Sequence, residues 1–340
     1  MSRSSQPRAN GWIKHVVGIG ITVLCLIILV RKVDFAQARE ALDHFKWPYL
    51  LLGLLSLAID YALRIHRWGM MLRATGARVS FRTCAAPFLG AITLNNVLPL
   101  RLGDAIRAFV FPQAMGLTRV TALTSLVVER LIDLITLLAC LSLGVWSIRT
   151  VDIPPSIKDS GILLAAVAGL LLIGGFLLSG RLSLLFIRLQ DRWGETSRMG
   201  RALGLLAEFL RNFKQMSSLR VLFPMILVSM AIWLGEAGLF YSVLLGLGFL
   251  PAPTAALLVM SLATLATLAP SSPGYVGPFH LAAFTAISLV GGTDAQAGIY
   301  AVLVHLALWL STTIVGAAAI WTHPQLFRLA RQQSHSTSPS

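Results

Sequence analysis

The sequence predicts an all-α polytopic membrane protein of about six full spans plus two re-entrant helical hairpins, arranged as an inverted-topology repeat. Three observations lead there. First, 56% of the 340 residues are hydrophobic, against about 45–50% in soluble domains. They gather into runs near the roughly 20 residues that a bilayer-crossing helix needs. Second, Asp294 is the one formal charge between Ala237 and Phe327, a pattern that suits lipid rather than water. Third, two apolar stretches are interrupted by Pro and Gly, as in helices that enter a bilayer and turn back within protein.

Residues 1–12 form a basic tail, and 13–322 a single membrane domain. The first apolar run, 13–31, follows Arg3, Arg8 and Lys14 and precedes Ala36-Gln37-Ala38, the outline of a secretory signal. Arg31, Lys32 and Asp34 intervene, and many later spans make cleavage unnecessary, so it is read as the first transmembrane helix. Residues 34–45 alternate charged and apolar positions at helical spacing, which places them along the interface. Further spans are expected at 48–70, 119–148, 160–180, 221–246 and 297–321. Trp12, Trp47, Trp146 and Trp321 fall near span ends, as interfacial aromatics do. The stretch 83–118 is broken at Asn95, Asn96, Pro99 and Gly103, and 253–291 at Pro270, Pro273, Gly274, Gly277 and Pro278. A basic amphipathic segment, 181–220, and a polar tail, 323–340, complete the chain.

Basic residues choose the topology. Arg64, Arg67, Arg73, Arg78 and Arg82 follow the second span, and 181–220 carries eight Arg or Lys residues from Arg181 to Arg220. The positive-inside rule makes both cytoplasmic. This works if 83–118 enters from the cytoplasm and returns there, and if 253–291 does the same from outside. Both termini are then cytoplasmic, with Arg328 and Arg331 inside. A weak internal repeat agrees. Thr93-Leu94, Pro99 and Gly103 recur 174 positions on as Thr267-Leu268, Pro273 and Gly277, and Ser56-Leu57-Ala58-Ile59 recurs 173 on as Ser229-Met230-Ala231-Ile232. Repeat one covers about 48–148 and repeat two about 221–321, in opposite orientations, an architecture of secondary transporters.

Charges inside apolar helices mark function. In Leu98-Pro99-Leu100-Arg101-Leu102-Gly103-Asp104-Ala105-Ile106-Arg107, Pro99 prevents a straight helix. Asp104 is placed to cap a new one. Arg101, Arg107 and the helix N-terminus then suit an anion; the plain alternative is an ordinary basic turn. Gly277-Pro278 starts a helix the same way in the second hairpin. Glu129 and Asp133 share one helix face with Arg130 about 100° away, so Arg101 or Arg107 are their expected partners. Such a cluster either latches substrate passage or only locks the fold. Glu236 stands alone between Val221 and Thr293 and is functional or a protonated structural residue. Asn95 and Asn96 line or cap the first hairpin; Pro273, Gly274, Tyr275 and Gly277 form the second tip. Arg64 and Arg67 read as snorkelling anchors, and His280 and His305 as isolated hydrogen-bonding histidines.

Several classes are excluded. The net charge of +14 resides in short loops, so nucleic acid is not the partner. Cys25, Cys84 and Cys140 lie in apolar segments without metal or redox spacing. No nucleophile elbow, zinc motif, phosphate loop or dinucleotide turn is present. No catalytic residue, cofactor or metal is expected.

The stretches NNVLPLRLGDAIR, VVERLIDL and PSSPGYVG resemble the transmembrane region of lysylphosphatidylglycerol synthases, the flippase-like domain family, over residues 12 to 325. The resemblance implies a lipid-translocating membrane domain, similar in the synthases to a flippase for aminoacylated phosphatidylglycerol. Other relatives are linked to glycolipid, polyprenyl-phosphate or hopanoid pathways. It also places Arg101, Asp104, Arg107, Glu129, Arg130 and Asp133 on the family's polar positions. Two departures stand out. No soluble aminoacyl-transfer domain follows, so a stand-alone member without lysyl transfer is expected. The second hairpin reads Pro273-Gly274-Tyr275-Val276-Gly277-Pro278-Phe279-His280 where the family resembles PGG-x-G followed by a Glu. A Tyr and a His there suit a sugar, a phosphate or a sterol-like lipid better than a cationic headgroup.

The expected function is therefore a lipid flippase or exporter in a bacterial inner membrane, for a lipid with an anionic or glycosylated headgroup. The alternatives are a membrane transferase using a lipid-linked donor and an accessory subunit of a lipid-modifying enzyme.

Overall fold

The computed structural model describes residues 10–98, 101–147, 155–269 and 272–326, all helical or in connecting turns. Pro99, Leu100, Pro270, the first nine residues, and Arg328 and Arg331 lie outside the described residues. Helix α1 spans Asn10–Lys32, α2 Phe35–Asp43, α3 Trp47–Ala74, α4 Phe81–Val97, α5 Leu102–Phe109, α6 Phe111–Ala114 and α7 Arg119–Ser147. Then follow α8 Pro155–Trp193, α9 Arg198–Met216, α10 Leu219–Gly246, α11 Pro253–Ala266, α12 Pro278–Leu289 and α13 Asp294–Thr322. Among the described residues, four helices are long and apolar enough to cross a membrane: α3, the Ala166–Trp193 part of α8, α10 and α13. Leu51, Leu55, Leu170, Leu177, Leu227 and Ile314 face outward from them, more than half exposed. Such continuous apolar cover is costly in water and neutral in lipid.

Local chemistry sets the helix ends. Asp34 caps α2 by accepting from the backbone N–H of Ala36 at 2.9 Å, and Ser80 caps α4 through Thr83 N–H at 3.2 Å. Helix α4 stops at Leu98, whose backbone is extended, as expected of a residue before proline. Thr293 and Gln296 form a capping box on α13.

The apolar segment expected at 160–180 is part of a longer helix. Nothing between Gly180 and Arg181 breaks α8, and Leu182, Leu184, Leu185 and Ile187 extend its apolar face. It ends at Gly194, which takes a left-handed φ of 75°. The amphipathic α9 then folds back along it, with Ser183 Oγ donating to Ala207 O at 2.9 Å.

The centre of the bundle is the pair α3 and α10, where Ser56 Oγ donates to Gly235 O at 2.7 Å. Around it the packing is reciprocal. Helix α4 lies on α13, where a Cβ on Gly316 would strike Thr93 and the Leu89 carbonyl. Helix α11 lies on α7, where a Cβ on Gly144 would strike the backbone of Leu258. Helix α5 folds back against α4, and a side chain on Gly103 would run into the Ala91 carbonyl. Helix α12 likewise packs on α11. The main core joins α10, α11, α12 and α13 around Phe240, Met260, Ala283 and Tyr300, whose hydroxyl donates to Phe240 O at 3.0 Å.

Candidate functional site: a charged cavity between two hairpins

A cavity of about 360 Å³ opens where α3, α4, α7, α10, α11 and α13 meet the two hairpin tips, within the size range of small-molecule sites. Of the sequence-predicted residues, Asn95, Asn96, Arg101, Arg130, Asp133, Glu236, Gly274 and Tyr275 line it. Asp104, Arg107, Glu129, Pro273 and Gly277 lie off its wall.

The first tip is built on ionic contacts. Arg101, not Asp104, is the N-cap of α5, in a left-handed conformation with φ 54°. Asp104 sits in the first helical turn, and the capping role falls to Asn95. Its Oδ1 accepts from Asp104 N–H, and its Nδ2 donates to Asp104 Oδ1, both at 3.0 Å. Arg130 Nη2 holds the other carboxylate oxygen at 2.6 Å. Arg107 donates to both oxygens of Glu129 at 3.0 Å, its guanidinium lying 5.3 Å from the Trp68 ring centroid and 4.9 Å from that of Phe88. This expected pair forms. The second does not: Asp133 pairs with Arg67, at 2.6 Å, rather than with Arg101 or Arg107. Glu129 and Asp133, one turn apart, thus serve separate pairs.

Arg64 and Arg67 are not snorkelling anchors. Arg67 is 1% exposed and also donates to Ser229 Oγ at 2.7 Å. Arg64 bridges two acids, Asp60 Oδ1 at 2.8 Å and Glu236 Oε2 at 2.6 Å, and stacks 4.8 Å from the Trp233 centroid. Facing carboxylates on α3, α7 and α10 draw these guanidiniums inward, where strong hydrogen bonds offset desolvation. Thr264 Oγ1 donates to the remaining Glu236 oxygen at 3.2 Å.

Neutral contacts fix the second tip. Tyr275 has φ 61°; it and Arg101 are the non-glycine residues with positive φ among the described residues, at positions 101 and 275. The Arg101 guanidinium lies 5.3 Å from the Tyr275 ring centroid and donates to Thr267 O and Oγ1 at 3.1 Å. Thr22 of α1 donates to Val276 O at 3.0 Å and accepts from Ser272 N–H at 3.1 Å. Gly277, the N-cap of α12, packs on Thr22 and lies off the cavity wall, which Phe279 in the first turn of the same helix reaches. His280 and His305 are not isolated: their rings lie 4.4 Å apart, and His305 Nε2 is 2.7 Å from Gly274 O. Asn96 ties α4 to α13, donating to Thr312 Oγ1 at 2.9 Å while its backbone carbonyl accepts from Trp309 Nε1 at 3.3 Å.

Sequence reasoning missed Tyr61, Arg64, Trp233, Thr264, Thr267, His305 and Trp309 on the wall, and Asp60 behind it. Asp60 carried a readable signal, a lone acid inside an apolar span with Arg64 four residues on. The others converge only through tertiary packing.

Among the charged side chains on the wall, Arg64, Arg101 and Arg130 outnumber Asp133 and Glu236. Arg101 has no carboxylate partner among the described residues. The cavity can therefore accept an anionic group at Arg101, flanked by the Asn96 amide, threonine hydroxyls and aromatic faces. No group of three His, Cys, Asp or Glu side chains suited to a metal occurs among the described residues.

The family model described as the lysylphosphatidylglycerol synthase TM region matches residues 15–316, and the chain belongs to that family. A curated protein named glycosyltransferase AglD, from the archaeon Haloferax volcanii, is 26% identical over 346 aligned positions, 92% of this chain and 54% of that protein. The chain thus spans about half the length of the curated relative it matches. It is a multi-pass membrane protein of a lipid-related family.

Proposed function

We propose that this member of the family is a lipid translocase that passes an anionic or glycosylated headgroup through the cavity while the acyl or prenyl tails stay in the bilayer. The observation that carries the reading is Arg101: a guanidinium without a carboxylate partner among the described residues, on the wall of a cavity that joins charged and apolar side chains. Arg101 is partly buried, where a guanidinium without a counter-ion is costly, and a phosphate oxygen or other anion relieves that cost with charge-assisted hydrogen bonds. Asn95, Asn96 and the surrounding aromatic faces suit a sugar or glycerol beyond the phosphate.

The architecture behind this reading is six spans with two re-entrant hairpins, α4–α5 from the cytoplasm and α11–α12 from outside, in a cell membrane with both termini cytoplasmic. Support comes from the exchange of partners between halves, α4 on α13 and α11 on α7, and from matching left-handed residues at 101 and 275. Single cysteines replacing Ala114 and Ala252, exposed at the bases of the first and second hairpins, labelled with a membrane-impermeant maleimide, should react from opposite sides. Labelling from one side removes the inverted arrangement.

A second reading has a specific support, the relative named a glycosyltransferase. In it, the chain presents a lipid-linked sugar to a transferase. The two readings separate in proteoliposomes. A translocase accelerates leaflet exchange of a fluorescent anionic lipid, and Arg101→Ala slows it roughly tenfold to a hundredfold. A transferase, alone or with a lipid-biosynthetic partner enzyme, yields a covalent product without that acceleration.

A further inference from the structure

The described Asp, Glu and Arg side chains of the bundle interior sort into five groups by direct contact. Three are neutral pairs: Arg67 with Asp133, Arg107 with Glu129, and Arg130 with Asp104. The other two are unbalanced. Arg101 has no acid against it. Asp60, Arg64 and Glu236 form a triad of two acids on one guanidinium, with one negative charge in excess. Asp60 is 0% exposed, and its Oδ2 has no hydrogen-bond partner. A buried carboxylate oxygen without a donor loses its solvation with nothing in return. A second acid on the same guanidinium compounds the cost, because like charges at close range do not both ionise readily.

The unbalanced groups are joined. Arg101 donates to Thr267 Oγ1, and Thr267 Oγ1 donates to Thr264 O at 2.7 Å. Thr264 Oγ1 donates to Glu236, and Glu236 and Asp60 share Arg64. One turn at the end of α11 thus connects the positive end of the cavity to its negative end. The charged groups acting on Asp60 are Arg64 and Arg67 on its own helix and Glu236 on α10; Asp133 on α7 acts on Glu236 in turn.

We propose that Asp60 and Glu236 bind one proton between them, and that its uptake is coupled to occupation of Arg101 by an anion. The proton comes from water and converts one carboxylate of the triad to a carboxylic acid, leaving Arg64 paired with the other. With Arg101 free, its positive charge partly offsets the negative triad. An anion at Arg101 cancels that offset, so the triad then takes a proton more readily. By reciprocity the protonated triad binds the anion more tightly. The proton site stands on the triad alone; only the coupling rests on the translocase reading.

Infrared spectroscopy on the whole protein in maltoside micelles tests the site. The expected result is a protonated-carboxyl C=O band in the wild type that shifts in heavy water. It should vanish in Glu236→Gln and equally in Asp60→Asn, because either change leaves a neutral pair on Arg64. Both variants are near-isosteric, and thermal unfolding checks that each is folded. Absence of the band, its persistence in both variants, or a triad that answers to sodium rather than to pH would overturn the proposal. Binding of an ether-linked alkylphosphoglycerol, a monoanion throughout the neutral range, tests the coupling. Its affinity should fall by up to about tenfold per pH unit on the alkaline side in the wild type and stay flat in Glu236→Gln. Binding that is equally flat in both sinks the coupling. No binding at all counts against the translocase reading, while the infrared band still decides the proton site.

Discussion

The two hairpin tips share a backbone and divide the chemistry. Each has a left-handed non-glycine residue, Arg101 or Tyr275, followed two positions later by a glycine at the start of a helix, Gly103 or Gly277. The first tip is held by ion pairs, Arg107 on Glu129 and Arg130 on Asp104. The second is held by neutral hydrogen bonds from Thr22 and His305. The lesson is that the local fold of a tip depends on its bend and its glycine, while the side chain in the left-handed position is free to specialise. One tip offers a cation to the cavity and the other offers an aromatic face to that cation.

This contrast can be broken most severely at its ionic anchor. Arg107→Ala leaves Glu129, 5% exposed, as an unpaired acid between α5 and α7, and should cost about 3–5 kcal/mol, read as a large fall in thermal stability. Arg101→Ala should do the reverse, with little change in stability. It removes charge-assisted hydrogen bonds to an anion worth about 1.5–3 kcal/mol, so lipid exchange in vesicles falls by roughly tenfold to a hundredfold. The neutral anchor is weaker. Thr22→Val strips a donor from Val276 O and an acceptor from Ser272 N–H and should cost about 1–2 kcal/mol in thermal unfolding. Smallest is Tyr275→Phe: the ring keeps its place on Arg101 and on the core, and the lost hydroxyl costs at most about 1 kcal/mol. Stability should hardly move. A drop as large as that of Arg107→Ala would show that the tips are not divided in this way.

The same contrast explains what the sequence disclosed. The helical, membrane-spanning class was legible because lipid demands long apolar runs, and both breaks were legible because Pro and Gly interrupt those runs. Arg107 with Glu129 was also foreseeable, since each is a charge that a membrane helix would not carry unpaired. The partners of Asp133 and Glu236 were not. They sit on α3, and reading Arg64 and Arg67 as snorkelling anchors near the end of that span hid them: both lie inside the helix and turn to acids on neighbouring helices. Asp104 was misplaced as a cap because a side chain from α4, Asn95, does that work from nine residues away. His280 and His305 are 25 positions apart on different helices, a distance at which no spacing rule operates.

The claim that a lipid's anionic headgroup occupies the cavity at Arg101 is tested most directly by native mass spectrometry of the protein released from its own membrane. Wild type should carry a bound phosphate-containing lipid, retained through mild activation, and Arg101→Ala, equally folded, should have lost it. Equal occupancy by the same lipid in both proteins, or an anionic lipid in neither, would contradict the account.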